Sequence, residues 1–485
     1  MAHDMSKKIL NAIITSFTFL ILAVFLITVE AFPAAPSDSV LPSPDKIHYA
    51  PLRFNLPQAQ RVVLENGIVL YILENHELPL ININALVKTG TMYDPEGKAG
   101  VAELTAYVMR TGGTAKLNSA EFDNQLDFMA ASASITMSVD SAQVNLSVLN
   151  KDLDRGLDLL AQMLISPVFE QNKFELARQL KNEELRRLKD DPQKLAFREF
   201  NRLIYAHDPR GRLSTYQSLA NIKRDDLTGF HNRFFVPANI MFAVSGDITK
   251  EEAVNKLSRY FGGWKTKDIP DNISSQPPKP DAGFYMINKE TPQSIIIGGQ
   301  FAASKNDPDF HAFTVLDFIT GSGGFPSRIF SVVRNKEGLA YSAGSFYRAR
   351  STYGVFGTYA FTKTSSTMKA FSLINSVLDN IRSGTITARE LDWAKQSIEN
   401  GFVFSFDTPD QIAWQQMNLE FEKLPADFLL HYRDRIENVT VEDLNKAALH
   451  YLSKANQVVL ILGDSKNFDK PLTPMGPPVF ITPEE

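Results

Sequence analysis

The sequence predicts an α/β chain made of two duplicated domains, each a mixed, mostly antiparallel sheet covered by helices. Three observations carry that reading. Residues 226–247, DLTGFHNRFFVPANIMFAVSGD, and residues 443–464, DLNKAALHYLSKANQVVLILGD, align without a gap at an offset of 217 and share six of 22 residues. Both copies run in the order helix, turn, apolar strand, which favours duplication over two helix-to-strand joins that merely look alike. Between the halves, Lys265–Gly283 carries four prolines and little hydrophobicity, and reads as a linker. Strands with hairpin signals precede long helical stretches in the first half, a pattern of helices laid on a mixed sheet. The expected partition is 1–31 leader or anchor, 32–56 lead-in, 57–264 first domain, 265–282 linker, 283–466 second domain and 467–485 Pro-rich tail.

The elements follow in order. Lys7 and Lys8 precede an apolar run, Ile9–Val29, and Val29-Glu30-Ala31 then offers a small-x-small cleavage site, the order of a secretory leader. The run is long enough to span a bilayer, so cleavage and an uncleaved inner-membrane anchor are both open readings. Asn11, Thr15, Ser16 and Thr18 dilute its first half and favour cleavage. Either way the chain is expected to be exported, to the periplasm of a Gram-negative bacterium. Arg61–Asn75 reads as a hairpin around Asn66-Gly67, Leu80–Gly90 as a further strand, and Ala133–Leu149 as two alternating strands. Residues 153–169 and 172–205 read as helices, the second long and amphipathic.

Composition narrows the function classes. The 485 residues are 44% hydrophobic and 22% charged, those of a globular chain. A net charge of −5 with no block of Lys and Arg argues against nucleic acid. The chain has no cysteine, which removes disulfides, thiol nucleophiles, Cys-ligated metals and an acyl anchor together. Its eight histidines form no pair at i, i+3 or i+4, and neither G-x-S-x-G nor G-x-x-x-x-G-K-[ST] occurs. Gly321–Gly324, GSGG, reads as a tight turn after a helix ending near Thr320, and His231 and His450 as ordinary core or interface residues.

The stretch AGVAELTAYVMRTGGTAK, residues 99–116, has Val101, Leu104 and Val108 on one helical stripe, and Glu103 and Tyr107 four apart on another face with Ala106 beside them. It resembles the zinc-motif helix of the insulinase/pitrilysin family of peptidases, and the likeness extends over roughly Arg61–Ser465. In that family H-x-x-E-H supplies two zinc ligands and a general base, and a later Glu completes the metal shell. Over GVAELTAYVMRTGGT the surroundings agree while the site does not: Glu103 stands at the first His, Ala106 at the base and Tyr107 at the second His. Glu184, 77 positions after Tyr107, falls at the third ligand. A phenol with a pKa near 10 is a poor substitute for neutral imidazole. No zinc is therefore expected in this chain.

The second half keeps another family signature. GSGGFPSRIFSVVRNKEGLAYSAGSFY resembles the segment whose Arg and Tyr reach the substrate carbonyl near the zinc, here Arg334 and Tyr341. A bland alternative pairs Arg334 with Glu337 and packs Tyr341 at a strand start. The resemblance implies two domains facing each other across a chamber. It also implies a noncatalytic subunit that lends Arg334 and Tyr341 in trans to a homologous partner with intact H-x-x-E-H and its own zinc. Extended peptides would add to a sheet edge, for which Ala133–Val139, with Ala133 and Ser134, is the candidate. Two alternatives stand beside it: a peptide-binding or structural scaffold, and a degenerate metallopeptidase active alone through Glu103, Tyr107 and Glu184.

Overall fold

The computed structural model describes residues 56–267, 280–472 and 476–483. The expected leader, nearly all of the lead-in and most of the linker lie outside the described residues. The first half runs β1 (Gln60–Val63), β2 (Val69–Glu74), β3 (Leu80–Val87), α1 (Val101–Thr111), α2 (Ser119–Phe128), β4 (Ser132–Met137), β5 (Ala142–Leu149), α3 (Leu153–Ile165), α4 (Gln171–Leu188), α5 (Pro192–Ile204), α6 (Tyr216–Asn221), α7 (Arg224–Phe234), β6 (Ile240–Gly246) and α8 (Lys250–Phe261). The second runs β7 (Gly283–Asn288), β8 (Gln293–Ala302), α9 (Phe310–Asp317), β9 (Ala340–Ala349), β10 (Gly354–Lys363), α10 (Thr367–Arg382), α11 (Ala388–Phe402), α12 (Pro409–Phe421), α13 (Tyr432–Glu437), α14 (Val441–Tyr451), β11 (Val458–Gly463) and β12 (Val479–Phe480).

The strands form two six-stranded sheets, ordered β1-β2-β6-β3-β5-β4 and β12-β7-β11-β8-β10-β9. Only β2–β6 is parallel in the first, and β11–β7 and β12–β7 in the second, so both are mixed and mostly antiparallel, as the sequence predicts. Their inner orders correspond one to one. α5 and α12 begin at Pro192 and Pro409, and α7 and α14 at Arg224 and Val441, each pair 217 residues apart. The Pro-rich tail supplies the sixth strand of the second sheet: Val479 and Phe480 pair with Tyr285 and Met286 of β7.

Two elements depart from the sequence reading. The long helix over 172–205 is two helices, because Pro192 has no N–H to continue the ladder and disfavours helical geometry at Asp191. Pro192 instead opens α5 at its first position, and Asp191 Oδ1 accepts the Lys194 N–H at 3.0 Å. α2 was not expected. Its apolar stripe is only Phe122 and Leu126, and its signal is a capping box between Asn118 and Glu121.

The break frees α5 to cross between the halves. Leu195, Ala196, Phe200, Leu203 and Ile204 pack in one cluster with Ile295, Ile297, Val355, Val458, Leu460 and Leu462 of the second sheet. α12 returns the exchange. Ala413 and Met417 bury against Leu86 and Ala243 of the first sheet. Its polar side is tied to the first half as well: Asp410 accepts from Asn84, Gln416 Oε1 from the Ala59 N–H at 2.8 Å, and Glu420 from Arg61 and the Tyr71 hydroxyl at 2.6 Å each. Gly299 of β8 exists for the crossing of α5, since a Cβ there would lie 2.5 Å from Phe200 Cζ and 2.7 Å from the Phe356 carbonyl oxygen.

Phe200→Ala is expected to cost about 3–5 kcal/mol in urea unfolding, and Gly299→Ala about 1–3 kcal/mol from overpacking. Gly263→Ala, where a Cβ meets nothing within 4 Å, is the control.

Candidate functional site

α1 lies in the core of the first half. The Asp94 carboxylate accepts the backbone N–H groups of Gly100 and Ala102 at 2.7 Å each and so closes the N-terminus of the helix. Burial pushes this carboxyl up to about 7, against those two bonds, which favour the charged form. Gly100 has φ 111°, and a Cβ there would meet Leu219 Cδ2 at 2.8 Å. Val101, Leu104 and Val108 are buried, as the stripe predicts. Ala106 is buried too, which corrects its expected place beside Glu103 and Tyr107 on the open face. Thr105 and Ala106 are both covered, so the apolar face is wider than the i, i+3, i+4 pattern implied. Tyr107 is exposed and Glu103 half-buried.

Glu103 and Glu184 are brought together, and what joins them is Lys181. Its Nζ lies 2.8 Å from Glu103 Oε2 and 3.0 Å from Glu184 Oε2. The Lys181 side chain is 19% exposed, that of Glu184 69%. Burial alone would lower the lysine pKa; the two carboxylates outweigh it and hold the ammonium above its ordinary value. Glu183 turns instead to Arg186 and Arg187, with which it pairs at 2.7 and 2.8 Å.

This donor set does not fit zinc. The family positions offer two carboxylates and a phenol, and a positive charge already sits between the carboxylates, where it repels a second cation. Among the described residues, no group of three or more His, Asp or Glu side chains is placed to hold a metal. His231 is buried with Nε2 2.8 Å from the Leu164 carbonyl oxygen, and His450 is exposed beside Asp309. Lys181 is the residue the sequence reading missed. Its spacing of three from Glu184 on one helix was the available signal.

Arg334 and Tyr341 are also brought together, in the second half. Residues Phe318–Ser322 and Phe330–Lys336 are π-helical, so the helix expected to end near Thr320 continues in a wider register before Gly323 and Gly324 turn the chain. Arg334 Nη1 donates to the Tyr341 carbonyl oxygen at 2.6 Å. Its guanidinium lies 4.8 Å from the ring centres of Phe330 and Tyr341 and 5.6 Å from that of Phe325. Glu337 pairs with Lys369 at 2.6 Å, and among the described residues it makes no ion pair with Arg334. Tyr341 does stand at a strand start, second in β9, yet it is 82% exposed. β4, carrying Ala133 and Ser134, is the edge strand of the first sheet. The Ala133 carbonyl already accepts from Arg110 Nε at 2.8 Å, while Ser134 is exposed.

Known proteins share the sequence pattern and fold of this chain. Residues 71–216 match the family profile described as insulinase (peptidase family M16), and residues 221–398 the one described as peptidase M16 inactive domain. The chain belongs to the insulinase family, M16. A protein of Helicobacter pylori named "Non-peptidase homolog YmxG" is 24% identical over 403 residues, 82% of this chain and 92% of that protein. One of Rickettsia felis, described as "Uncharacterized zinc protease", is 26% identical over 305 residues, 62% of this chain and 72% of that one. Among solved structures, a peptidase M16 inactive domain from Pseudomonas fluorescens superposes with a TM-score of 0.79 at 23% identity, over 86% of this chain and all of that one. The periplasmic protease PqqL of Escherichia coli gives 0.71 at 16% identity, with this chain covering 86% of itself and 48% of PqqL. At the positions of the family's zinc motif this chain carries Glu103, Ala106 and Tyr107.

Lys181→Met is expected to lower stability by about 1–3 kcal/mol at pH 7, below the roughly 3–5 of a fully buried pair because Glu184 is mostly solvated. The folded lysine pKa is raised, so this contribution is complete below the ordinary value of 10.5 and fades as pH rises through the folded value. Chemical denaturation from pH 7 to 11 should show wild type and variant converging at the alkaline end.

Proposed function

We propose that this chain is the noncatalytic, substrate-binding subunit of an exported M16 metalloendopeptidase, acting with a homologous partner that bears an intact H-x-x-E-H and its zinc. The observation that carries this is an asymmetry within one polypeptide. The first half has exchanged its metal-ligand positions for an ammonium bridge, while the second holds Arg334 and Tyr341 assembled and open to solvent. Guanidinium and phenol are both hydrogen-bond donors, suited to a peptide carbonyl and to negative charge growing on its oxygen. Neither provides the hydrolytic water, which belongs to the partner's metal. PqqL, about twice the matched length and described as a periplasmic protease, is consistent with this chain forming half of a larger enzyme and with export. Among the described residues no helix is long and apolar enough to cross a membrane. The peptide would extend along β4, the end strand of its sheet, over Ser134–Met137, since the Ser138 and Val139 carbonyls already accept from Thr91 and Met92.

The competing reading is a scaffold with no part in hydrolysis, which the name of the Helicobacter relative favours. Mixing decides between them. The chain with its zinc-bearing homologue from the same cell is expected to cleave unfolded peptides that neither cleaves at that rate alone. In the assembled pair, Arg334→Ala should lower kcat/KM by about 10²–10³ while the complex elutes unchanged. Cleavage indifferent to Arg334→Ala removes its role. A stable complex without activity in any mixture establishes the scaffold.

A further inference from the structure

A pocket of about 530 Å³ opens in the second half, between the turn that leads into α9, the loop ahead of α13, α13 itself and the start of α14. Neither Arg334 nor Tyr341 lines it, and its polar groups are not all partnered. His311 stands in its wall, 7% exposed, with its ring against those of Phe310, Phe428 and Tyr432. The Nε2 atom is buried and has no hydrogen-bond partner among the described residues. Such an atom costs free energy unless a water or a ligand meets it. Burial, with the nearby Arg435 charge second, pushes this imidazole down to about 4, so the ring is neutral at pH 7.

The charges around the pocket are divided between its elements. Lys305 is taken by Glu422 at 2.8 Å, and Asp443 caps α14 by accepting from the Thr440 N–H and hydroxyl at 3.0 and 2.7 Å. What is left on α13 is Arg435, whose guanidinium makes no ion pair or hydrogen bond among the described residues. Two carboxylates remain on the turn before α9. Asp307 Oδ2 accepts the Ser304 N–H at 2.6 Å, and Asp309 lies 3.4 Å from the His450 imidazole. A simple anion would be repelled by both carboxylates, and a metal ion would find Arg435 and, among the described residues, no cluster of ligands able to hold it. A molecule with one charge of each sign meets neither objection. We propose that this pocket binds a free aliphatic α-amino acid, its carboxylate on Arg435, its ammonium toward Asp307 and Asp309, and its side chain against Phe428 and Val439. A guanidinium holds a carboxylate through two parallel N–H bonds, which fixes the plane of the ligand as well as its charge. Phe428 and Val439 supply the apolar wall that a leucine-sized chain needs. The bound molecule, or a water it traps, gives the His311 nitrogen its partner. Nothing in the site depends on Arg334 or on a second subunit.

The test uses the full chain without a partner, titrated at pH 7 by calorimetry with L-leucine, L-leucinamide and N-acetyl-L-leucine. Leucine is expected to bind, and blocking either of its ends should weaken it about tenfold. Arg435→Ala, at an exposed side chain, should weaken leucine by about the same factor and leave leucinamide unchanged, since the amide has no carboxylate to lose. The double variant Asp307→Asn with Asp309→Asn should weaken leucine and not N-acetyl-leucine, because only the first carries an ammonium. Asparagine at position 307 still accepts the Ser304 N–H, so the turn is kept. Absence of leucine binding to the folded chain overturns the proposal. So does leucine affinity indifferent to Arg435→Ala, or a loss in that variant shared equally by leucinamide. None of these results bears on Arg334.

Discussion

Neither sheet of this chain is covered by helices of its own half alone. α5 leaves the first half to bury Phe200 against Gly299 of the second sheet, and α12 leaves the second to bury Met417 against the first. The exchange removes large apolar areas from water and makes the core of each half a condition for the other. Its polar rim, with Asp410 on Asn84 and Glu420 on Arg61 and Tyr71, sets the register of the crossing helix. The two halves therefore hold their functional clusters as one body. What the first half lost cannot be regained by a local shift of the second.

The loss itself has a simple electrostatic form. A zinc site cross-links two helices through ligands of both, and in this chain the same helices, α1 and α4, are cross-linked by one ammonium between Glu103 and Glu184. Desolvation works against a charged lysine in that position, and two carboxylates within 3.0 Å more than restore it. Packing of the motif helix has thus been kept without the metal. Ala106 completes the conversion, since its buried methyl belongs to the core and leaves no group to activate water. In the second half Arg334 is braced by rings and a backbone carbonyl.

Much of the fold was legible because period and punctuation agree locally. Alternation in Ala133–Leu149, Asn66-Gly67 in the first hairpin and the 217-residue offset all translate into strands and helices where expected. The α4–α5 break was written in Asp191-Pro192, but a continuous amphipathic stripe masked it. At the site, identity and neighbourhood were legible while contacts were not. The stretch KNEELRR contains Lys181, yet only folding shows that the lysine turns to Glu103, 78 residues earlier, instead of to solvent. Likewise no pattern announces that Glu337 is taken by Lys369 and Arg334 left to three rings. Such choices are set by tertiary placement, to which spacing along the chain is blind.

The central claim is that an internal cation, the Lys181 ammonium, occupies the place between α1 and α4 where the family resemblance would put a metal. The most direct measurement is equilibrium dialysis of the purified full chain against micromolar zinc, followed by metal analysis of the protein fraction. The account predicts well under one zinc per chain, unchanged by Glu103→Gln. One zinc per chain, lost in Glu103→Gln, would contradict it.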